Sequence, residues 1–254
     1  MPHKVFIVTG ASKGLGAAVA KHLLGQSHKV VLAARSAAPL AALQKAHPGQ
    51  VEYLAGDMTD PAMPGALAGL AVSAFGKIDG LVINHGLIVS ERIDKISLQT
   101  FKNLYDVNVF SCLAMAQAAL GELRKSKGCI VWVSSGAAQK PYAGWSAYGS
   151  SKAVLNSLSS HLAVEERDIT SITVSPGRID TDMQAEVRSG GMEAMDEAQY
   201  KSFVDAFQQG KLLKPEQPGS VIARFVASPQ RDLSGKNLTY STSWNSPEMA
   251  PYHD

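Results

Sequence analysis

The sequence predicts an α/β fold in which a doubly wound, parallel sheet of about seven strands is flanked by helices. Three observations lead to this prediction. Short apolar, β-branched runs alternate with longer segments of helical periodicity, as expected for successive strand and helix units. The first run ends in a glycine-rich turn that opens the first helix. Polar residues follow several of the runs, at the strand ends where open parallel sheets bind ligands.

The elements follow one another in a regular order. Seven runs predict strands, at residues 4–8, 29–34, 51–55, 78–83, 129–133, 169–174 and 238–240. Helical periodicity lies between them, at residues 17–24, 61–75, 98–120 and 147–167, and again around 221–226. Pro176-Gly177 marks an exit from the sheet. The Met-rich, charged segment 184–212 predicts a mobile helical lid or, alternatively, an exposed pair of surface helices.

Composition and charge limit the function classes. With 254 residues, 45% of them hydrophobic, and no internal repeat or linker, the chain is expected to form one domain over residues 1–254. Its 24 basic and 22 acidic side chains give a formal net charge of +2 without a basic block, which argues against a nucleic-acid partner. Cys112 and Cys129 lack metal-ligand spacing and are predicted to be buried free thiols.

No targeting segment is expected in this sequence. A strand begins near residue 4, which leaves no room for a signal peptide, and no run approaches the ~18 apolar residues needed to cross a bilayer. The last residues, Tyr252-His253-Asp254, match no peroxisomal or reticulum address. We expect a cytoplasmic protein with no membrane partner.

The glycine-rich turn at residues 9–16 reads TGASKGLG. Glycines let such a turn close and approach a pyrophosphate, whose anionic oxygens are attracted to the helix N-terminus. The spacing GxxxGxG differs from the GxGxxG fingerprint, and a plain strand-to-helix loop is the alternative. The candidate nucleotide-binding residues of the turn are Gly10, Ser12, Lys13, Gly14, Leu15 and Gly16.

The end of the second predicted strand bears on the choice of nucleotide. NAD-binding chains usually place an acid there for the ribose hydroxyls, whereas this chain has Ala34 followed by Arg35 and Ser36. A guanidinium binds phosphate in a bidentate manner, and Lys13 adds a second cation nearby. The sequence therefore favours NADP(H), although both cations are also explained as ordinary surface charges.

Two further strand ends carry polar side chains. Asp57 and Met58 follow the third strand, where Asp57 either hydrogen-bonds an adenine amine or caps the next helix. Asn84, His85 and Gly86 follow the fourth strand and would lie beside a ribose. His85 has no second metal ligand near it in sequence, so no metal site is predicted.

The stretch from Ser134 to Lys152 carries residues that suit proton transfer. Ser134 and Ser135 follow the fifth predicted strand at its carboxyl end. Tyr148 and Lys152 are four residues apart, so these two side chains share a face of the next helix. A neighbouring ammonium favours the phenolate and would bring its pKa, ordinarily near ~10, toward working pH. A Tyr and a Lys at this spacing also occur by chance. Asn108, inside a predicted helix, is more often tolerated there than functional.

These motifs together resemble the classical short-chain dehydrogenase/reductase family along essentially the whole chain. The motifs that carry the resemblance are TGASKGLG at 9–16, GD at 56–57, NHG at 84–86, Asn108, Ser135, YxxxK at 148–152 and PGRIDTDM at 176–183. Tyr148 lies 13 residues after Ser135 and 40 after Asn108, which is the spacing of the family's catalytic tetrad. The resemblance implies a Rossmann domain, and the chain looks most similar to fungal members related to sepiapterin and benzil reductases.

The resemblance also implies roles for individual residues. Tyr148 would be the general acid that protonates a carbonyl oxygen, with its pKa lowered by Lys152, which would also bind the nicotinamide ribose. Ser135 would hold the carbonyl, and Asn108 would fix a water that links Lys152 to solvent. The implied cofactor-binding positions are Gly10, Gly14, Gly16, Asp57, Asn84 and Thr181. Arg35, Ser36, Met58, His85, Gly86, Pro176, Gly177 and Ile179 complete the candidate cofactor site.

Two departures from the family pattern stand out. His85 occupies a position where the family commonly has alanine, and STSWN at 241–245 replaces a glycine-rich segment, which puts tetramer contacts there in doubt. Many members dimerise through the helices that bear Asn108 and Tyr148, so a homodimer is expected. The apolar faces around Cys112 and Leu158 fit a core equally well.

The sequence thus predicts an NADPH-dependent carbonyl reductase that acts on a small ketone or diketone of the sepiapterin or benzil type. The candidate residues for an apolar substrate pocket are Tyr142, Trp145, Met183 and Phe203. Another alcohol dehydrogenase of the family, of hydroxysteroid or ketoacyl type, would use the same chemistry. The alternative from a different functional class is a regulator that binds NADP without catalysing a reaction. Such a protein would not need the Tyr148 phenol next to a lysine.

Overall fold

The computed structural model describes residues 3–240 and Tyr252. The strands are β1 Val5–Thr9, β2 Lys29–Ala34, β3 Val51–Ala55, β4 Gly80–Ile83, β5 Cys129–Val133, β6 Thr170–Ser175 and β7 Asn237–Thr239. The helices are α1 Gly14–Gly25, α2 Ala37–Ala46, α3 Met63–Phe75, α4 Leu98–Tyr105, α5 Ser111–Ser126, α6 Ser146–Glu165, α7 Asp182–Gly190, α8 Glu197–Gln208 and α9 Glu216–Ala227. The predicted α/β fold and its seven strands are confirmed.

All neighbouring strands are parallel, in the order β3-β2-β1-β4-β5-β6-β7. The strands are rich in β-branched and apolar residues, and both faces of the sheet are covered. Helices α1, α2 and α9 pack on one face, and α3, α5 and α6 pack on the other. This is the doubly wound Rossmann arrangement that the sequence predicted.

The strand order reverses between β1 and β4. The chain runs outward from β1 to β3 and then returns to place β4 on the other side of β1. Helices on either side of such a point diverge, which opens a crevice beyond the carboxyl ends of the two strands. The glycine-rich turn follows β1 and Asn84 follows β4, so the fold brings both to this crevice.

The predicted single helix at 98–120 is wrong in one respect. A π turn, Asp106–Phe110, separates α4 from α5, and Asn108 lies at its centre. Such a turn inserts one extra residue without breaking the helical path, so the apolar periodicity does not reveal it. The first helix also begins at Gly14, three residues earlier than predicted, because the last two glycines of the turn are already helical.

The structure bears on several smaller predictions. Cys112 and Cys129 are buried free thiols, as predicted. Segment 184–212 holds most of α7 and all of α8. Within the described residues, no helix is both long and apolar enough to cross a membrane. The predictions about residues 241–245 and about an address signal in His253 and Asp254 lie outside the described residues.

Candidate active site

A cleft of about 640 Å³ lies at the predicted crevice. Its volume is within the range of small-molecule and cofactor sites. Of the predicted cofactor-binding residues, all but Gly16 line this cleft, and so do Ser135 and the four predicted substrate residues. The fold therefore gathers these residues from seven separate stretches of sequence around one space.

The glycine-rich turn is packed too tightly for side chains. Gly10 and Gly14 have positive φ angles of 65° and 54°. A Cβ on Gly16 would lie only 2.4 Å from the Gly10 carbonyl oxygen. Asn84 Nδ2 donates to the carbonyl oxygens of Thr9 and Gly10, at 3.1 Å each, and so ties the end of β4 to the turn. Gly16 thus shapes the cleft from behind without lining it.

The start of α1 fits an anionic ligand. Lys13, its N-cap residue, makes no side-chain capping bond, and the first turn carries no acidic residue. The first N–H groups of a helix have no partner within the helix, and they attract phosphate. Arg35 and Ser36 line the same cleft. The residues present therefore fit the phosphates of a dinucleotide, although the Lys13 ammonium is paired with Asp182 at 2.5 Å.

Asp57 does not cap the helix that follows it. Its Oδ1 accepts hydrogen bonds from the Thr59 backbone N–H at 2.9 Å and from the Thr59 hydroxyl at 2.8 Å, which lowers the pKa of the carboxyl group. Helix α3 begins only at Met63, with Ala62 as its N-cap. The capping alternative is wrong because an intervening turn, closed by Asp57, delays the helix.

The two serines after β5 have different partners. Ser134 donates its hydroxyl proton to Asn156 Oδ1 at 2.7 Å. Ser135 shares a side-chain hydrogen bond with Tyr148, and its Oγ also accepts the Ala137 N–H at 3.2 Å. Ser135 therefore faces the phenol, and Ser134 is engaged elsewhere.

Tyr148 and Lys152 are both buried beside the cleft, with the Lys152 Nζ 5.9 Å from the centre of the phenol ring. The ammonium donates to the Val133 carbonyl oxygen at 2.9 Å. Burial raises the pKa of Tyr148, and the hydrogen bond with Ser135 opposes this effect. Burial also lowers the pKa of Lys152. The expected lowering of the Tyr148 pKa by Lys152 is not seen in this geometry, where burial is the largest influence on the phenol and Ser135 is the group that opposes it.

Asn108 lies behind the cleft and does not line it. It is fully buried, and its amide forms a pair of 2.9 Å hydrogen bonds with the backbone N–H and C=O of Leu87. Its Nδ2 also donates to Ser151 Oγ at 3.1 Å. A Cβ on Gly86 would lie 3.2 Å from Asn108 Oδ1 and 3.4 Å from Lys152 Nζ. Gly86 is thus the spacer between these two side chains.

An aromatic cluster forms the side of the cleft near Tyr148. The ring centres of Tyr142 and Trp145 are 4.9 Å apart, and those of Trp145 and Phe203 are 5.3 Å apart. Trp145 also meets Tyr148 edge to face at 5.7 Å. Met183 lines the same cleft. Tyr142, Trp145 and Phe203 therefore form one wall, and all four predicted substrate residues line the same cleft.

Sequence reasoning missed two residues of this wall. Arg178 stacks its guanidinium 4.0 Å from the Phe203 ring centre and donates to the Ser202 carbonyl oxygen at 2.8 Å. Ser90 accepts a 3.1 Å hydrogen bond from Trp145 Nε1. Their partners lie 24 or more residues away, and no periodic signal links such distant positions.

Comparison with known proteins identifies the family. Residues 4–191 match the family model described as short chain dehydrogenase. The chain belongs to the short-chain dehydrogenase family. The resemblance carried by the glycine turn, Ser135 and the YxxxK motif is therefore confirmed, and the protein is an oxidoreductase that acts on a small-molecule substrate.

Three proteins illustrate how close the relatives are. An uncharacterized oxidoreductase of Saccharomyces cerevisiae, YIR035C, is 37% identical over 98% of each chain. Its crystal structure aligns with a TM-score of 0.94, covering 99% of this chain and 100% of that one at 35% identity. The benzil reductase ((S)-benzoin forming) IRC24 of the same yeast is 34% identical over 94% of this chain and 96% of its own. The crystal structure of the KRED1-Pglu enzyme is 40% identical, covers 92% of this chain and 100% of that one, and has a TM-score of 0.90.

Proposed function

We propose that this oxidoreductase is an NADPH-dependent carbonyl reductase that reduces small aromatic ketones or diketones. The observation that carries the proposal is that Ser135, Tyr148 and Lys152 line the same cleft as the glycine-rich turn. A reductase needs a nucleotide site and a proton donor that face one space. The similarity to a benzil reductase supports a carbonyl substrate.

The residues of the chain suit the transfer of a proton to a carbonyl oxygen. A bound, reduced nicotinamide would supply the hydride. Burial raises the pKa of Tyr148, so its hydroxyl is protonated near pH 7 and its Oη can donate to the substrate oxygen. Ser135, already hydrogen-bonded to the phenol, would hold that oxygen in line. The nearby Lys152 ammonium would stabilise the phenolate that remains.

The preference for NADPH is supported by charge at the end of β2. Arg35 and Ser36 line the cleft where an acid would otherwise face the ribose hydroxyls. A guanidinium and a hydroxyl complement a 2′-phosphate, whereas NADH offers them no anion. Lys13 would add a second cation if it exchanged Asp182 for the phosphate.

The aromatic wall supports a flat, partly aromatic substrate. Phe203 of α8 is buried in this wall, and Val187 of α7 is buried beside it, so segment 184–212 is proposed as the lid of a single domain over residues 1–254. We also propose a cytoplasmic homodimer that forms through the helices near Asn108 and Tyr148. Phe110 and Val164 are large apolar side chains exposed on this part of the surface.

The test follows NADPH and NADH oxidation by absorbance with benzil and related aromatic diketones, sepiapterin and simple ketones. We expect turnover with NADPH, and a loss of about 1,000-fold in kcat for Tyr148→Phe with unchanged NADPH affinity. Tyr105→Phe is the matched control, because Tyr105 bonds only Ser150 in the described structure, at 2.9 Å, and does not line the cleft.

Two results would overturn the proposal. One is tight binding of NADPH with no reduction on the whole panel, which would favour a sensor. The other is a Tyr148→Phe variant that turns over as fast as the Tyr105→Phe control. Activity with NADH alone would contradict the proposed preference for NADPH, but it would still support the proposed reduction of a carbonyl group.

A further inference from the structure

The ring of His85 bridges the glycine-rich turn and the π turn. The residue is buried, with 9% of its surface exposed. Its Nδ1 lies 2.7 Å from Thr9 Oγ1, and its Nε2 lies 2.9 Å from Ser111 Oγ. Thr9 is the last residue of β1, and Ser111 is the first residue of α5. One imidazole therefore joins two elements that are a hundred residues apart in sequence.

The hydrogen bonds fix where the ring proton lies. The Ser111 hydroxyl donates to the Val107 carbonyl oxygen at 2.7 Å, and a hydroxyl has only one proton to give. Ser111 must therefore accept from His85, so Nε2 carries the proton, and the Thr9 hydroxyl donates to Nδ1 at 2.7 Å rather than to the Val82 carbonyl oxygen at 3.4 Å. Burial lowers the pKa of His85 to about 3, which agrees with a neutral ring that has one donor and one acceptor.

The His85 bridge is part of loop 84–87, which Asn108 also holds through the backbone of Leu87. Val107, whose carbonyl oxygen accepts the hydrogen bond from Ser111, directly precedes Asn108 in the π turn. Asn108 in turn forms hydrogen bonds with the backbone of Leu87. The loop at 84–87 is thus attached to the π turn at two places, through His85 and through Leu87. Gly86 lies between these attachments and faces Lys152.

We propose that His85 is a positioning residue that holds the π turn against the end of β1 and so sets the places of Asn108 and Lys152. The proposal rests on the proposed reductase function. The glycine-rich turn is held separately, by Asn84 and by the close approach of Gly16 to Gly10. A change at His85 is therefore expected to act on kcat rather than on nucleotide affinity.

The primary variant is His85→Phe, which keeps a ring and removes both nitrogen atoms. We expect kcat with an aromatic diketone to fall roughly tenfold or more, because small displacements of catalytic groups have large effects on rate. The KM and Kd for NADPH should stay within about threefold of the native values. His85→Gln keeps one donor and one acceptor and should restore part of kcat.

Two further variants separate positioning from general damage. His28→Phe is the matched control, since His28 is the half-buried imidazole packed against Phe6 at 5.2 Å, away from the cleft, and it should leave kcat unchanged. Ser111→Ala should resemble His85→Phe. The double variant should lose little more than either single one, because both changes break the same bridge.

Hydrogen–deuterium exchange of residues 105–112 provides a readout that needs no turnover. Exchange should be faster in His85→Phe and Ser111→Ala than in the native protein, and unchanged in His28→Phe. A folded His85→Phe variant with native kcat, or one whose NADPH affinity falls as much as its kcat, would overturn the proposal. If the native protein reduces no substrate, the proposed reductase function is wrong. In that case, hydrogen exchange in His85→Phe that matches the native protein would independently contradict the proposed role of His85.

Discussion

The two walls of the cleft are built in different ways. The nucleotide wall, residues 9–16 with Asn84, is made largely of main chain, and a Cβ at Gly10 or Gly16 would meet atoms at 2.8 Å or less. The substrate wall, Tyr142, Trp145 and Phe203, consists of rings from two separate segments at centre distances of 4.9–5.7 Å. The first wall tolerates little change, whereas the second can be altered one side chain at a time.

The hydrogen bonds of the two walls also show that the nucleotide wall is held more rigidly than the substrate wall. Asn84 attaches the nucleotide wall to the sheet itself, through carbonyl oxygens at the end of β1. The substrate wall is attached to loops and to the lid: the Ala143 N–H donates to Gln199 Oε1 of α8 at 3.1 Å, and Trp145 donates to Ser90. Nucleotide binding should therefore depend on the sheet, and substrate choice on the lid.

The largest expected effect comes from adding a methyl group to the nucleotide wall. In Gly16→Ala the new Cβ would lie 2.4 Å from the Gly10 carbonyl oxygen and 2.5 Å from Asn84 Nδ2. We expect the free energy of unfolding to fall by about 3 kcal/mol. NADPH affinity should fall by roughly 100-fold, since the turn can no longer close. Urea unfolding and a fluorescence titration with NADPH would measure both quantities.

Gly25→Ala provides the control on the same helix. A Cβ there would meet no atom within 4 Å, so stability should be unchanged or slightly higher. If the two alanine variants behaved alike, the contrast between a rigid and an adaptable wall would be lost.

The same contrast explains what the sequence predicts well. The strands and the nucleotide wall depend on local features: apolar runs, glycines at a strand end, and Asn84 directly after β4. The π turn at Asn108 is not predicted, because one inserted residue shifts the apolar pattern of a long helix by a single position and adds no breaker residue to the sequence.

The substrate wall is predicted only in part. Tyr142 and Trp145 are identified from their place between Ser135 and Tyr148, but the partners Ser90 and Arg178 are not, because those contacts arise from packing between distant segments. The pKa of Tyr148 is a similar case. The sequence shows a lysine four residues away, but not the degree of burial that reverses the expected shift.

A second prediction uses pH to examine the His85 bridge beside the nucleotide wall. His85 has a pKa of about 3 in the folded protein, against an ordinary histidine pKa of 6.5, so the unfolded chain binds its proton first as the pH falls. Stability is therefore complete above about pH 6.5 and is lost as the pH falls toward 3. Linkage gives a loss of about 2 kcal/mol between pH 7.5 and pH 5 from this residue alone.

Urea unfolding of the native protein and of His85→Phe at pH 7.5, 6 and 5 tests this prediction. The variant has no group that titrates at position 85, so its stability should decline less over this interval, whatever its stability at pH 7.5. Parallel declines in the two proteins would contradict a buried, neutral His85.

The smallest expected effect lies in the substrate wall. Trp145→Leu removes ring contacts with Tyr142 and Phe203 and the hydrogen bond to Ser90. An aromatic ring of the substrate packed on Trp145 would contribute about 1 kcal/mol, so kcat/KM for an aromatic diketone should fall roughly fivefold. For a small aliphatic ketone, which has no ring to pack, the loss should be about twofold. The Kd for NADPH should be unchanged, because Trp145 lies outside the nucleotide wall.

Phe207→Leu is the control for this substitution, since Phe207 is an aromatic residue of the neighbouring lid but is 48% exposed, with Arg188 stacked on it. It should leave both substrates unaffected. Equal losses for aromatic and aliphatic ketones in Trp145→Leu would mean that the tryptophan only supports the fold of the lid. A selective loss would show that the adaptable wall determines the substrate, while the rigid wall determines the nucleotide.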